Sequence, residues 1–332
     1  MKIRRMIKKD VPKVINVLAK AFNDSYFQRR NIKRERKRTS ESILPYLEIE
    51  PEGAFVAYSS SKIVGALFAH TWGKFGWIGT FGVLPEYQNK GIGRKLLEKG
   101  LYYLTETRPV TTLALETMPS SMTNIGLYSK QGFRPAFLTI KLQQEIPSAL
   151  KANNFSLNNK TNLSSLEISY FSKEENKEDI LTRCSWLSDK LHNGLDYTNE
   201  ILITNKYALG ETILVKREGF VIGYAICRAK PKYEEEDAAK LLEIKVLVID
   251  KSIREPEILD LLINACEEFG FQNGKQWLKL SINSSYWVVY RHLLDKGFTV
   301  VSAILRMIKF SEDIISHDRS HEWLVNCSSL TM

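Results

Sequence analysis

The chain has 332 residues, of which 44% are hydrophobic, so it is long enough for two domains with separate cores. Its apolar runs are too short to cross a bilayer, and the basic N-terminus has no apolar stretch behind it that would make a secretion signal. The four cysteines lack paired spacing, which argues against a zinc or disulfide framework and indicates a reducing compartment. We therefore expect a cytoplasmic protein without a membrane segment.

The net charge of +9 is unevenly distributed along the chain. Residues 1–145 contain 24 Lys and Arg against 12 Asp and Glu, whereas the remaining residues contain 23 against 26. The first part therefore attracts anions. A phosphorylated cofactor, an acidic partner, a nucleic acid and a solvated surface are all compatible with this charge.

In chain order, the first half alternates helices and strands. Residues 3–22 have the apolar spacing of a helix, with Asp10 and Pro12 as start signals. The later patterns predict a basic segment at 28–39, a short helix at 41–47, strands at 54–58, 62–72 and 76–84, a helix at 91–105, a strand at 111–116, a short helix at 124–130, and a last strand at 137–142 that closes the unit. This order predicts an α/β or α+β domain with a mixed sheet.

The second half repeats the first. FVAYSSSKIVGALFAH (55–70) aligns with ILVKREGFVIGYAICR (213–228), and both TLALE with WLKLS and KQGF with DKGF align at an offset of 165 residues. A segment rich in Asn and Ser separates the two copies and is typical of a linker. We therefore predict a first domain at 1–145, a linker at 146–165, a second domain at 166–311 and a tail at 312–332.

A glycine loop, QNKGIGR (88–94), lies between a predicted strand and a predicted helix. Backbone N–H groups at a helix start lack intrahelical partners, the helix dipole adds positive charge there, and glycine lets an anion approach closely. The loop is not the dinucleotide pattern G-x-G-x-x-G, because position 96 is Leu, and it lacks the Gly-Lys-Ser/Thr of nucleotide triphosphatases. It predicts a pyrophosphate site; a turn that only connects two elements is the alternative.

The strand followed by PEYQNKGIGRKLL resembles the coenzyme-A loop of the GNAT superfamily of N-acetyltransferases, Gln/Arg-x-x-Gly-x-Gly/Ala. NIGLYSKQGF (124–133) resembles that superfamily's Asn…Leu-Tyr-x-Lys-x-Gly-Phe segment. The resemblance implies the GNAT fold, with acetyl-CoA as co-substrate between the strands at 76–84 and 111–116. It also implies that the acceptor amine attacks the thioester directly.

The resemblance further implies roles for individual residues. Backbone groups of Val83 and Leu84 would hold the pantetheine arm and polarise the thioester, and Asn124 would contact the same arm. Tyr128 would protonate the leaving thiolate. The pyrophosphate would be bound by Gln88, Asn89, Lys90, Gly91, Ile92, Gly93 and Arg94.

The general base and the acceptor stay open at this stage. Some GNAT members carry a glutamate at the position of Trp77, so the candidates for the base are Glu116, His70, a water relay, or no base at all for an amine of low pKa. We take Glu116 as the first candidate. Tyr26, His70 and Trp72 are candidates for walls of the acceptor pocket, and each is equally compatible with a place in the core. The acceptor is an amine on a small molecule or a peptide.

The second copy lacks this chemistry at matching positions. The offset of 165 places Pro256 on Gly91, Ile258 on Gly93 and Leu293 on Tyr128. Proline removes a backbone donor, and isoleucine crowds a phosphate. We therefore expect a degenerate GNAT-like domain that caps the acceptor site, shapes substrate choice or mediates homodimer contacts. A non-catalytic acyl-CoA sensor or scaffold, and an acetyltransferase of protein amines, are the alternatives for the whole chain.

Two further patterns favour ordinary surface roles. The basic segment 28–39 has seven Lys and Arg but no interleaved aromatic residues, so we interpret it as a solvated face and expect no nucleic-acid partner. His317 and His321 are spaced as zinc ligands on a helix, but no third ligand is evident. We therefore expect no metal.

Overall fold

The computed structural model describes residues 1–33, 35–147 and 165–311, together with the backbone of 326–328. Most of the predicted linker and tail, with His317 and His321, lies outside the described residues. Among the helices that are described, none is both long and apolar enough to cross a membrane. The same residues contain no group of three or more His, Cys, Asp and Glu that could hold a metal ion.

Both halves consist of strands that alternate with helices. The elements of the first half are β1 (Lys2–Arg5), α1 (Val11–Arg30), α2 (Leu44–Ile49), β2 (Ala54–Ser59), β3 (Lys62–Trp72), β4 (Phe75–Val83), α3 (Ile92–Tyr102), β5 (Thr112–Thr117), α4 (Met122–Lys130) and β6 (Arg134–Glu145). Those of the second are β7 (Leu166–Tyr170), α5 (Lys177–Leu191), α6 (Thr198–Lys206), β8 (Gly210–Arg217), β9 (Phe220–Arg228), α7 (Glu236–Ala239), β10 (Leu241–Ile249), α8 (Pro256–Gln272), β11 (Trp277–Asn283), α9 (Trp287–Asp295), β12 (Thr299–Phe310) and β13 (Asn326–Ser328). The predicted α/β class is confirmed.

The predicted first helix is wrong at both ends. Residues Lys2–Arg5 form a strand that pairs with β2, and the helix begins only at Val11, after the start signals at Asp10 and Pro12. The helix then continues to Arg30, into the basic segment, and ends where Asn31 adopts a left-handed conformation with φ of 53°. The extra turns matter because they border the site described below.

The thirteen strands in the described part of the chain belong to one sheet with the order β1-β2-β3-β4-β5-β12-β6-β11-β13-β10-β9-β8-β7. Leaving β13 aside, replacing each strand by its counterpart in the other half (β1 by β7, and so on to β6 by β12) gives the same order read from the opposite end. The helices α4 and α9 begin 165 residues apart, as do β6 and β12. The duplication predicted from sequence is therefore an approximate twofold symmetry of the sheet, with its axis between β12 and β6.

Each half gives its last strand to the other. Strand β12 lies between β5 and β6, pairing Arg306 with Glu116 on one side and with Phe137 on the other. Strand β6 pairs in turn with β11 of the second half. The prediction that residues 137–142 close the first unit is wrong, because β12 takes the place beside β5. The predicted domain boundaries divide the sequence, whereas in space each half of the sheet includes the last strand of the other half.

Helices cover both faces of the first half's sheet. Helix α1 packs so closely that a Cβ atom on Gly82 would lie 3.1 Å from that of Ala21. On the opposite face, a Cβ atom on Gly65 would lie 3.0 Å from Leu96 of α3. These two glycines let the helices approach the strand ends around the site.

The end of the basic segment, residues 36–39, is part of the contact between the two halves, whereas most of the described residues of 28–35 are exposed. The interpretation as a solvated face is therefore wrong only for this end of the segment. The Nε atom of Arg36 lies 2.5 Å from the carboxylate of Glu235, and its guanidinium lies 4.6 Å from the ring centre of Tyr233. Backbone hydrogen bonds join Thr39 to Lys232 and Glu234 to Lys37. Arg36 and the backbone beside it therefore contact the acidic run that begins at Glu234.

Candidate functional site

The sheet opens between β4 and β5. These parallel strands pair only over Phe75–Ile78 and Thr112–Leu115, and beyond those residues they diverge. A cavity of about 580 Å³ occupies the opening. It is lined by the end of β4, the glycine loop, the second half of α1, and α4 with the two residues before it.

The end of β4 presents a backbone edge to the cavity. The N–H of Leu84, just after β4, donates to the carbonyl of Val64 in β3 at 2.9 Å, so Leu84 and Val64 form a hydrogen-bonded pair. Opposite residues of antiparallel strands alternate, which means that Val83, opposite Gly65, turns its N–H and C=O away from β3 and toward the opening. The carbonyl of Leu84 accepts from Tyr87, so both backbone groups of Leu84 are occupied. Of the two strand residues predicted to hold the pantetheine arm, Val83 alone offers a donor.

The glycine loop meets the requirements of an anion site. Gly91 is the N-cap of α3 with φ of 74°, and no described atom lies within 4 Å of the position that a Cβ would take. The N–H of Lys95 returns to the Gly91 carbonyl at 3.2 Å, which leaves the N–H groups of residues 92–94 at the helix start without intrahelical acceptors. Gln88, Asn89, Gly91, Gly93 and Arg94 all line the cavity. The loop can therefore hold a diphosphate, as its sequence predicts.

The charged side chains of the loop differ in their orientation. Arg94 lines the cavity and is paired with Glu98 one turn along the helix at 2.8 Å. Lys90 instead donates to the carbonyl of Glu86 and lies 5.2 Å from the ring centre of Tyr87, outside the lining. Gln88 donates to the Val83 carbonyl at 3.0 Å, which ties the loop to the strand end.

Tyr128 lies at the cavity wall on α4. The side chain is buried, and its ring packs edge-on against Phe133 with 6.2 Å between ring centres. Burial raises the pKa of the Tyr128 hydroxyl above its ordinary value, so the hydroxyl keeps its proton at every physiological pH. Asn124, one turn earlier, also lines the cavity and donates to Thr117 at 3.5 Å. A protonated hydroxyl and an amide thus share the cavity with the helix start.

Comparison with known proteins assigns this arrangement to a family. The model of the acetyltransferase (GNAT) family matches residues 15–133, a range that holds the strands, the glycine loop and Tyr128. Residues 15–133 are a GNAT domain. The family is one of acetyltransferases, which in general transfer an acyl group from an acyl-CoA to an amine.

Solved structures extend the fold to the whole chain. A proposed acetyltransferase from Pyrococcus horikoshii covers 98% of this chain and 93% of its own, with a TM-score of 0.65 and 18% identity. A GCN5-related N-acetyltransferase from Sphaerobacter thermophilus covers 93% and 95%, with a TM-score of 0.60 and 12% identity. A tandem GNAT protein from the clavulanic acid biosynthesis pathway covers 92% and 97%, with a TM-score of 0.61 and 12% identity. The fold is therefore that of tandem GNAT proteins. A comparison with curated protein sequences gives no match.

The structure places Glu116 outside the cavity of the GNAT domain. Its carboxylate pairs with Arg306 of β12 at 3.0 Å and accepts a hydrogen bond from Thr139. The side chains of Glu116 and Arg306 are only 2% and 9% exposed, and the guanidinium lies 5.4 Å from the ring centre of Trp77. The residue predicted as general base is thus half of a buried ion pair between the two halves.

Replacing Arg306 with Met is expected to lower the free energy of unfolding by about 3–5 kcal/mol, because it leaves the Glu116 carboxylate buried without its partner. Urea denaturation measures this loss. The double variant Arg306→Met/Glu116→Gln should regain part of the stability, since it removes both charges. A double variant as unstable as the sum of the two single variants would contradict the pair.

The predicted acceptor walls also lie elsewhere. His70 and Trp72 are buried at the contact with the second half, where the indole of Trp72 donates to Glu200 of α6 at 3.0 Å. The space beside them is about 10 Å³, too small for an acceptor. Tyr26 stacks with Arg30, 5.8 Å from the ring centre, and is not part of the lining. The acceptor prediction is wrong for His70 and Trp72 because β3 carries them away from the opening.

The sequence analysis missed lining residues around the start of α4 and, above all, along helix α1. Its second half contributes Phe22, Asp24, Ser25, Gln28 and Arg29 to the cavity. Arg29 donates to Ser25, and burial together with the charge of Arg30 lowers the pKa of Arg29. The helical periodicity that begins at Asp10 could have identified this face, had it been followed beyond residue 22.

The second GNAT-like domain has a shorter loop at the corresponding place. The first loop spans residues 84–91 and the second only 250–255, between the ends of β10 and the start of α8. Glu255, not Pro256, is therefore the N-cap that corresponds to Gly91, and Pro256 is the first helical residue, where proline is favoured. The sequence comparison at a fixed offset is wrong inside the loop, although it holds for Leu293 on Tyr128.

Proposed function

We propose that the GNAT domain is an acetyl-CoA-dependent N-acetyltransferase that moves an acetyl group directly to a primary amine. One observation carries this proposal: a single cavity joins the helix start at Gly91, the strand edge at Val83 and the buried hydroxyl-bearing ring of Tyr128. The first can hold a diphosphate, the second a thioester arm, and the third can supply a proton to a leaving thiolate.

The proposed mechanism divides the reaction between backbone and side chains. The N–H of Val83 donates to the thioester carbonyl, whose oxygen gains charge as the amine adds, and one such donor contributes about 3 kcal/mol to catalysis. Asn124 orients the arm. Tyr128 donates its proton to the thiolate sulfur as the carbon–sulfur bond breaks, an effect of roughly 10²–10⁴-fold. The C–N bond forms in the same addition, so no acyl-enzyme is needed.

The acceptor would approach along the polar face of α1. Asp24 supplies a carboxylate to the lining, and Arg29 and Arg94 supply two guanidinium groups. Since Glu116 is held in an ion pair, we assign no side chain as general base. The amine then reacts from its neutral fraction, with water taking the second proton, which was one of the alternatives open from sequence.

An amine screen with acetyl-CoA and detection of free thiol tests the proposal. The panel includes a polyamine, an amino sugar, an amino acid and peptides with free N-termini and lysines, so that small-molecule and peptide acceptors are compared. The proposal predicts thiol release that depends on one class of amine. Binding of acetyl-CoA without turnover of any amine would favour the sensor instead, and absence of binding would contradict both. The cytoplasmic location and a homodimer stay predictions.

A further inference from the structure

The opening of the second sheet is filled by the chain itself. Strands β10 and β11 pair only over Leu241–Glu243 and Trp277–Lys279, as β4 and β5 do in the first half. Beyond those residues the C-terminal strand β13 lies between them. It runs antiparallel to β10, with Leu247 opposite Cys327, and Ile282 of β11 is also opposite Cys327.

The backbone edge that binds β13 is the counterpart of the cavity edge in the first half. Asp250 donates to Ile222 at 2.9 Å, as Leu84 does to Val64, so Leu247 and Ile249 turn their backbone groups away from β9. Leu247 corresponds in this register to Phe81, which lines the cavity of the first half. The tail strand thus lies where the pantetheine arm is proposed to lie in the first domain.

The surroundings of the second opening suit a peptide better than a diphosphate. Glu255 is the N-cap residue of α8, and its carboxylate forms an ion pair with Arg217 at 2.7 Å, so a carboxylate already lies near the helix start where a diphosphate would bind. Val289 and Leu293, which replace Asn124 and Tyr128, are fully buried. An extended peptide needs only backbone edges to pair with, and β10 and β11 provide one edge on each side of the opening.

We propose that the opening of the second domain is a binding site for an extended peptide, and that its ligand is the chain's own C-terminal strand, residues 326–328. This strand takes the place of an acyl-CoA and covers two strand edges that would otherwise be open to other chains. The site is separate from the GNAT cavity, so the inference stands whether or not the first domain acetylates amines. Its consequence is one acyl-CoA site per chain.

The full-length variant Cys327→Pro tests the site, with Cys327→Ala as its control. Proline removes the N–H at the centre of the strand, whereas alanine keeps it. Hydrogen exchange at the N–H of Leu247, which faces the tail strand, is expected to be at least about tenfold faster in the proline variant than in the alanine variant. A labelled peptide with the sequence HEWLVNCSSLTM (321–332) is expected to bind the proline variant, and to bind the alanine variant at least about tenfold more weakly.

Two results would overturn the proposal. Equal exchange at the Leu247 N–H in the two variants would show that the strand does not occupy the opening. A second equivalent of acetyl-CoA bound by Cys327→Pro in calorimetry would show that the opening is a cofactor site that the tail merely blocks. Peptide binding with one equivalent of acetyl-CoA supports the proposal.

Discussion

Replacing Tyr128 with Phe is expected to lower kcat about a hundredfold, while the affinity for acetyl-CoA changes by less than about threefold. The substitution removes the proton that the leaving sulfur takes but keeps the ring that packs on Phe133. Steady-state kinetics with the best amine of the screen, and calorimetry with acetyl-CoA alone, separate the two effects.

The pH profile sharpens this prediction. Because burial raises the pKa of Tyr128, its hydroxyl stays protonated and imposes no falling limb on kcat/KM up to about pH 10. The rate should rise with pH as the acceptor amine loses its proton, and the Phe variant should give the same shape at a lower level. A falling limb near pH 8 that disappears in the variant would show that the pKa of Tyr128 is not raised, and it would contradict this pH prediction.

Tyr224→Phe is the matched control for Tyr128→Phe. Tyr224 is also buried and its hydroxyl lies 2.6 Å from that of Ser188, but it belongs to β9 of the second domain. Its loss should reduce the free energy of unfolding by about 1 kcal/mol and leave kcat unchanged. If both variants lose activity equally, the effect of Tyr128 is one of folding and not of catalysis.

Gly91→Ala is expected to weaken acetyl-CoA binding at least about tenfold. The φ of 74° is costly for alanine, and the added methyl group enters the open space through which a phosphate would reach the helix start. Calorimetry measures the dissociation constant. Kinetics should show a raised KM for acetyl-CoA with a smaller change in kcat, since the loop contacts the diphosphate and not the reacting carbon.

Gly219→Ala provides the control for backbone strain. Gly219 has a φ of 80° and an equally open surrounding, but it lies in the turn between β8 and β9, far along the chain from the cavity. Both variants should lose about 1 kcal/mol of stability. If Gly219→Ala weakens acetyl-CoA binding as much as Gly91→Ala does, strain and not a blocked phosphate is the cause.

Local features of this fold were predictable because they depend on neighbours in the chain. The glycine loop, the helix after it and the position of Tyr128 each follow from a few consecutive residues. The same holds for α9 and β12, the counterparts of α4 and β6. Both begin 165 residues after their counterparts, because the stretch from helix to strand has the same length in the two halves.

Features that depend on distant partners were not predictable. Glu116 looks like a base on a strand end until Arg306, 190 positions away, is placed beside it. The exchange of β6 and β12 cannot be recognised in the sequence of either strand, since the backbone edge of a strand is similar for any partner. The loss of Leu84 as a donor follows from the pairing register with β3, and the register of a strand is set by its partner.

A crystal structure with acetyl-CoA tests the central claim most directly. The account predicts one acetyl-CoA per chain, with its diphosphate against the N–H groups of residues 92–94, its arm beside Val83 and its sulfur within reach of the Tyr128 hydroxyl. A complex with the first opening empty, or with acetyl-CoA bound between β10 and β11, would contradict it.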